Sequence, residues 1–176
     1  MRQVLNTYLS PTGEQMIMYD TDTDDSDPKP VVSFVVGGKV VQTLAMGDLA
    51  DWGVGFERFQ VVCPFHLPSS QNAVAMAFTS AFDGSGSIFS LVTWKGNKYA
   101  QVFTTHGMQG RLQIGRGTLS MWTSAGRGEC VWCEQHYTLE KFTWIKDMYR
   151  RTGATKLKRS FDPSDISGHP LEIDTD

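Results

Sequence analysis

Three residues in the C-terminal half of the chain could act together in metal chemistry: Cys130, Cys133 and His136. Thiolate and imidazole groups are ligands that zinc prefers, and a structural zinc site takes four of them. The spacing therefore predicts a possible zinc site with one ligand still to be supplied. A redox function is the other chemistry open to a C-x-x-C pair, but such a pair works at the start of a helix, and the flanks here predict a strand. The candidates for the fourth zinc ligand are Cys63, His66 and His106.

The same cysteines also have a structural interpretation. Residues three apart on a regular strand point to opposite faces, so a disulfide between Cys130 and Cys133 would require the turn after Gly128 to extend through Trp132. A disulfide that includes Cys63 is a second possibility, and free thiols are a third. The sequence leaves these pairings open.

Hydrolytic catalysis needs a nucleophile, a base and an orienting acid that converge in space. The four histidines lie in no nucleophile elbow or zincin helix, and Ser85, between two glycines, is better explained as part of a turn. Asp48 and Asp51, with Glu57 nearby, could form a glycosidase carboxylate pair, but such spacing is common in loops. We therefore predict no catalytic residue. The alternative is a zinc-dependent or cysteine/histidine hydrolase.

An aromatic motif occurs twice: Thr93-Trp94 and then Tyr99, and Thr143-Trp144 and then Tyr149. In each copy, four residues that suit a tight connection separate the Trp from the Tyr, which predicts a hairpin with a cross-strand aromatic pair. Such rings can stack on sugars or hold a peptide, so the sequence predicts ligand binding, to a carbohydrate or a protein, at Trp94, Tyr99, Trp144 and Tyr149. The alternative is that they cover the ends of the core beside their turns.

The elements that must position these residues are short β-branched and aromatic runs separated by glycine-rich turns. Gly37-Gly38 predicts a two-residue hairpin turn. A further hairpin is expected over residues 4–19, with a helix over residues 3–9 as its alternative, and residues 73–82 fit either a strand or a buried helix. A strand over residues 56–63 is expected to stop at Pro64. The remaining strands are predicted at 88–94, 98–105, 111–114, 118–122, 130–144, 149–152 and 155–161.

Length and composition are those of one globular domain over residues 1–176. The pattern predicts an all-β fold of antiparallel hairpins that form a sandwich, a partial barrel or a propeller-like domain. A short helical turn is expected from Asp162 to Gly168, inside a C-terminal tail over residues 162–176. A net charge of −3 argues against a nucleic-acid partner. The one basic run of the chain is Arg150, Arg151, Lys156, Lys158 and Arg159.

The acidic segment over residues 20–30 leads into a strand and the Gly37-Gly38 turn, and this arrangement resembles repeats of the FG-GAP and VCBS type. A similar order follows Asp83-Gly84. That resemblance implies calcium at Asp20, Asp22 and Asp24, whose alternation suits a calcium loop, although the loop lacks the usual glycine and closing carboxylate. It also implies propeller blades. A full propeller needs at least four blades, and about fifty residues separate the Trp motifs, so a partial barrel or sandwich fits equally well.

The second half of the chain also resembles uncharacterised all-β proteins of the bacterial envelope. It carries the two aromatic hairpins and the tail that begins Phe161-Asp162-Pro163. This resemblance implies a periplasmic or extracellular protein whose leader was removed before residue 1, since no segment has the length or hydropathy of a signal peptide or a membrane span. We therefore predict a non-enzymatic binding or structural module without a cofactor, with calcium or zinc as the alternatives.

Overall fold

The computed structural model describes residues 2–20, 30–47, 56–80, 86–108, 111–115, 117–124, 135–159 and 171–173. Strands account for almost all of this part of the chain, and no helix occurs in it, which confirms the all-β prediction. It follows that no described helix has the length and hydropathy needed to cross a membrane. The helical turn predicted at 162–168 lies outside the described residues.

Three antiparallel sheets form in chain order, and in each one every strand pairs with the next along the chain. Such meanders suit a sequence whose turns are short. In the third sheet a last short strand, Leu171–Ile173, adds in parallel beside the strand Arg111–Gly115. Sheet I contains β1 (Arg2–Thr7), β2 (Glu14–Asp20), β3 (Pro30–Val36) and β4 (Lys39–Ala45). Sheet II contains β5 (Phe56–His66), β6 (Asn72–Ser80), β7 (Gly86–Lys95) and β8 (Lys98–Met108). Sheet III contains β9 (Arg111–Gly115), β10 (Thr118–Ser124), β11 (Gln135–Ile145), β12 (Met148–Arg159) and β13 (Leu171–Ile173).

Sheet II lies between the other two sheets and is buried on both faces. On β6, Ala73, Ala75 and Ala77 pack in one core with sheet III, whereas Val74, Met76 and Phe78 pack in another core with sheet I. A strand covered on both faces has no polar face, so its sequence reads as a continuous apolar run. This explains why residues 73–82 also fitted a buried helix. The sheets are stacked, and they do not close into a barrel among the described residues.

Two hairpins form where the sequence predicts them. Gly37 and Gly38 both have positive φ angles, 56° and 78°, as a two-residue hairpin turn requires. The N-terminal segment is a hairpin and not a helix, with Arg2 opposite Tyr19 and Thr7 opposite Glu14. Both hairpin predictions are confirmed.

Two strands run further than predicted because each contains a β-bulge, at which a residue is left out of the pairing with the neighbouring strand. β5 continues through Pro64 to His66, with a register shift between Val62 and Phe65. A bulge removes a residue from the hydrogen-bond ladder, so a proline can stand there without breaking the strand. β12 is likewise one strand, because Thr152 is passed over in its pairing with β11.

Candidate binding site

The end of sheet I that carries the first hairpin turn is organised around a buried carboxylate. Glu14 is 6% exposed. Its Oε1 accepts hydrogen bonds from the Thr7 hydroxyl at 2.6 Å and the Leu9 amide at 2.8 Å. Its Oε2 accepts from the Ser10 hydroxyl, from the Ser10 amide at 3.2 Å and from the Tyr99 hydroxyl at 3.0 Å. Five donors therefore surround one side chain, which compensates the loss of its hydration.

These donors also set the protonation state of Glu14. Burial alone would raise the pKa of the carboxyl, but the hydrogen bonds from Ser10, Thr7 and Leu9 outweigh it and lower the pKa below its usual value of 4.5. Glu14 is thus ionised at neutral pH with both oxygens occupied. A carboxylate in this state is a poor general acid, and its accessible lone pairs are already used by the fold.

Tyr99 connects this carboxylate to sheet II. Its ring stacks on Phe34 of sheet I with the centroids 3.7 Å apart and the planes 4° from parallel. The Gln42 side chain accepts from the Tyr99 amide at 2.8 Å and donates to the Tyr99 carbonyl at 2.7 Å. Burial, together with the adjacent Glu14 carboxylate, raises the pKa of the Tyr99 hydroxyl. The phenol therefore stays protonated and donates to Glu14.

Tyr8 lies at the solvent side of the same cluster and is 77% exposed. A Cβ placed on Gly13 would lie 3.5 Å from Tyr8 Cδ1, so the ring rests over the Gly13 backbone. Gly13 has a φ of 66°, in the left-handed region that glycine adopts without strain. The exposed ring therefore lies against the backbone of the turn.

Two recesses meet at Tyr8, and Asn6 and Tyr8 line both of them. The first has a volume of about 430 Å³ and lies between the β1–β2 turn and the Gly37-Gly38 turn. The second has a volume of about 350 Å³ and lies between β1 and the Cys63-Pro64 bulge of β5, with Asn72 at its border. Tyr8 thus forms a wall between two hollows.

The groups that the recesses offer to a ligand are uncharged. Asn6, Thr12, Gln15 and Asn72 are exposed and supply amides and a hydroxyl, and no described lining residue of either recess is a histidine, lysine or arginine. Cys63 is a free thiol. Burial, and secondarily the charge of Glu14, raises the pKa of that thiol, which keeps it in its less nucleophilic form. This set suits recognition through neutral hydrogen bonds and ring stacking.

The four aromatic residues predicted to bind a ligand form two equivalent pairs. Trp94 and Tyr99 make an edge contact at 4.8 Å, and Trp144 and Tyr149 make one at 5.0 Å. Both tyrosines are buried, at 2% and 6% exposed, and both tryptophans are partly buried against the cores between the sheets. These contacts agree with the alternative in which the pairs cover the core beside their turns. Ligand binding by these residues stays a prediction.

The predicted metal ligands are largely outside the described residues: Asp22, Asp24, Cys130 and Cys133 are not described, and of Asp20 only the backbone is described. His136 is exposed on β11. Among the residues that the structure describes, no three histidine, cysteine or acidic side chains form a group that could hold a metal ion. Ser85, Asp48 and Asp51 also lie outside the described part, as does the side chain of Glu57. The zinc, calcium and hydrolase hypotheses stay predictions.

Comparisons with protein-family models, with curated proteins and with solved structures find no match. The geometry of the site therefore carries the functional argument.

Sequence reasoning missed Tyr8 and Glu14. The sequence predicts the hairpin over residues 4–19, and a lone aromatic residue beside its polar turn is the signal that could have drawn attention to Tyr8. Glu14 gave no such signal, because one of its hydrogen-bond donors is Tyr99, which lies 85 residues away in the chain.

Proposed function

We propose that this protein is a non-enzymatic binding module that holds a neutral, hydroxyl-rich ligand, such as a short glycan, at the two recesses beside Tyr8. The observation that carries the proposal is the position of Tyr8. It is a strongly exposed aromatic ring, fixed over Gly13, with a hollow on either side. An aromatic face packs against the apolar face of a sugar ring, while amides and hydroxyls beside it bond the sugar hydroxyls.

The chemistry of the lining supports binding over catalysis. Glu14 has both oxygens occupied by five donors, and Cys63 has a raised pKa, so neither group of the recess is prepared for acid–base or nucleophilic work. The absence of exposed charge among the described lining residues favours an uncharged sugar over a phosphorylated ligand. A bacterial envelope or extracellular setting, which the family resemblance implies, belongs to the same proposal.

The test is binding of neutral oligosaccharides, with cello- and chito-oligosaccharides as probes and titration calorimetry as the readout. Tyr8→Ala and Asn72→Ala are expected to weaken binding, the former by about tenfold or more, because one stacked ring contributes on the order of 1–2 kcal/mol. Met148→Ala is the matched control, since Met148 is also an exposed side chain beside a hairpin turn but lies in sheet III. Binding that survives Tyr8→Ala and disappears on conservative changes at Trp94 and Trp144 would move the site to the aromatic hairpins. Failure of all neutral probes to bind would contradict the proposal.

A further inference from the structure

The two recesses beside Tyr8 differ in the chemistry of their walls. The first recess lies between two turns, and its border includes the Thr12 hydroxyl and the Gln15 amide. The second recess lies against β5. The described residues that line it and do not line the first are Leu9, Cys63, Pro64 and Asn72. Three of these four residues have an apolar side chain. One aromatic ring therefore separates a polar hollow from a less polar one.

The apolar wall of the second recess is built from groups that the fold holds in place. The Leu9 amide donates to Glu14 Oε1 at 2.8 Å, and the Leu9 side chain packs against the core between sheets I and II. Cys63 and Pro64 are exposed in the bulge of β5. Partial burial, and secondarily the charge of Glu14, raises the pKa of the Cys63 thiol, so at neutral pH the thiol acts as a small apolar group. This wall can cover a small apolar substituent of a ligand.

Asn72 adds an amide to this apolar wall. It pairs with His66 in the ladder between β5 and β6, and its carbonyl accepts from the Thr93 hydroxyl at 2.6 Å. The backbone of Asn72 is therefore fixed, while its side chain is exposed. A carboxamide carries donors and an acceptor, so it can both donate to and accept from a second amide. The second recess thus combines an apolar wall with one amide partner.

From this combination we infer that the second recess is a subsite for the acetamido group of an N-acetylated sugar. In this arrangement the acetamido methyl lies against Leu9, Cys63 and Pro64. The amide of the same group pairs with the Asn72 side chain, and the sugar ring stacks on Tyr8. The inference rests on the proposed function, and it narrows the ligand from neutral glycans in general to oligosaccharides of N-acetylhexosamine.

A sugar hydroxyl is a poorer match for the same recess. It can bond the Asn72 side chain, but it leaves the apolar wall uncovered. An acetamido group buries its methyl and adds a second amide hydrogen bond, which together correspond to roughly tenfold in affinity. Chito-oligosaccharides carry an acetamido group on each ring where cello-oligosaccharides carry a hydroxyl. The two series are therefore a matched pair of probes for this subsite.

The experiment measures the binding of tri-N-acetylchitotriose and cellotriose to the full chain by titration calorimetry. The acetylated trisaccharide is expected to bind about tenfold more tightly. Asn72→Ala should reduce this preference to about threefold or less, because the acetamido group loses its amide partner. Gln15→Ala is the matched control, since it removes an exposed carboxamide from the first recess and should leave the preference unchanged. Thermal unfolding checks that both variants fold.

The preference between the two trisaccharides tests this inference, whereas binding itself tests the proposed function. Equal affinity of both trisaccharides for the native chain would overturn the inference and leave the proposed function intact. A preference that survives Asn72→Ala and disappears in Gln15→Ala would place the acetamido group in the first recess, which also overturns the inference. Binding of neither trisaccharide to the native chain would overturn the proposed function and the inference with it.

Discussion

Sheet II has one junction with sheet I and another with sheet III. Both junctions contain an aromatic hairpin, but they differ in the hydrogen bonding of its tyrosine. Each uses a Trp–Tyr pair beside a two-residue turn, and each tyrosine packs into the core shared with the preceding sheet. At the first junction the Tyr99 hydroxyl donates to Glu14. At the second, the Tyr149 hydroxyl is buried and has no hydrogen-bond partner among the residues that the structure describes.

Both tyrosines have a raised pKa, but the causes differ: burial and the Glu14 carboxylate act on Tyr99, whereas burial acts alone on Tyr149. Burial alone raises the pKa of Tyr149 to about 12, and its ring makes edge contacts with Phe103 and Trp144. Tyr99 has a stacked ring and an ionised acceptor for its proton. The aromatic hairpin thus buries apolar surface at both junctions. The residues of the preceding sheet decide whether the tyrosine hydroxyl has a hydrogen-bond acceptor. Sheet I places Glu14 at the required position, whereas the described residues of sheet II place no acceptor beside Tyr149.

The largest effect is expected from Glu14→Ala. This change leaves the hydroxyls of Thr7, Ser10 and Tyr99 without their acceptor, and it should lower the free energy of unfolding by about 3 kcal/mol or more. Urea unfolding followed by tryptophan fluorescence measures the loss. Gln15→Ala, at the exposed neighbouring position, should cost less than about 0.5 kcal/mol. A similar small loss for both variants would contradict the role given to Glu14.

Removing the two phenol hydroxyls separately should give effects of opposite sign. Tyr99→Phe loses a hydrogen bond to a charged acceptor and should cost about 1.5 kcal/mol. Tyr149→Phe removes a buried hydroxyl without a partner, so it should be neutral or stabilise the fold by up to ~1 kcal/mol. The same urea experiment compares them, and each variant is the control for the other. Equal losses would mean that Tyr149 has an acceptor and that the two junctions do not differ.

Acid should weaken the first junction selectively. The pKa of Glu14 is lower in the folded chain than its usual value of 4.5, so ionised Glu14 stabilises the fold fully above that value, and the contribution disappears as the pH falls through the folded pKa. Unfolding free energies measured between pH 7 and pH 3 should therefore fall less for Glu14→Gln than for the native chain. Tyr149→Phe should leave the slope unchanged. An identical slope for Glu14→Gln and the native chain would refute the assignment.

The smallest effect concerns the turns of the two aromatic hairpins. The first turn uses Gly96, with a φ of 70°, whereas Lys146 and Asp147 of the second turn have φ angles of 49° and 63°. Left-handed backbone strains a lysine more than an asparagine. Lys146→Asn should therefore raise the melting temperature slightly, by the equivalent of about 0.5 kcal/mol, while Gly96→Ala should lower it by ~1 kcal/mol. A gain in both variants would be inconsistent with these turn conformations.

The sequence could predict those features of the two junctions that depend on residues close together in the chain. Alternation of apolar residues and turn chemistry predicted the hairpins around Gly37-Gly38 and around Gly96, and they predicted the Trp–Tyr pairs, because these depend on residues close together in the chain. The stacking order of the sheets and the acceptor for Tyr99 depend on contacts across 85 residues, which no periodicity encodes. The two recesses beside Tyr8 were missed for a related reason, since one of them is lined by Cys63 and Pro64 of β5, which are distant from Tyr8 in the chain.

A double-mutant cycle between Glu14 and Tyr99 tests the difference between the junctions most directly. Unfolding free energies are measured at pH 7 for Glu14→Gln, Tyr99→Phe and the double variant, and in parallel for Glu14→Gln with Tyr149→Phe. Residues that share a hydrogen bond are expected to show a coupling energy of about 1 kcal/mol or more, whereas distant pairs add within roughly 0.5 kcal/mol. The account predicts coupling for the Tyr99 pair and additivity for the Tyr149 pair. Additive effects at Tyr99, or equal coupling at both tyrosines, would contradict it.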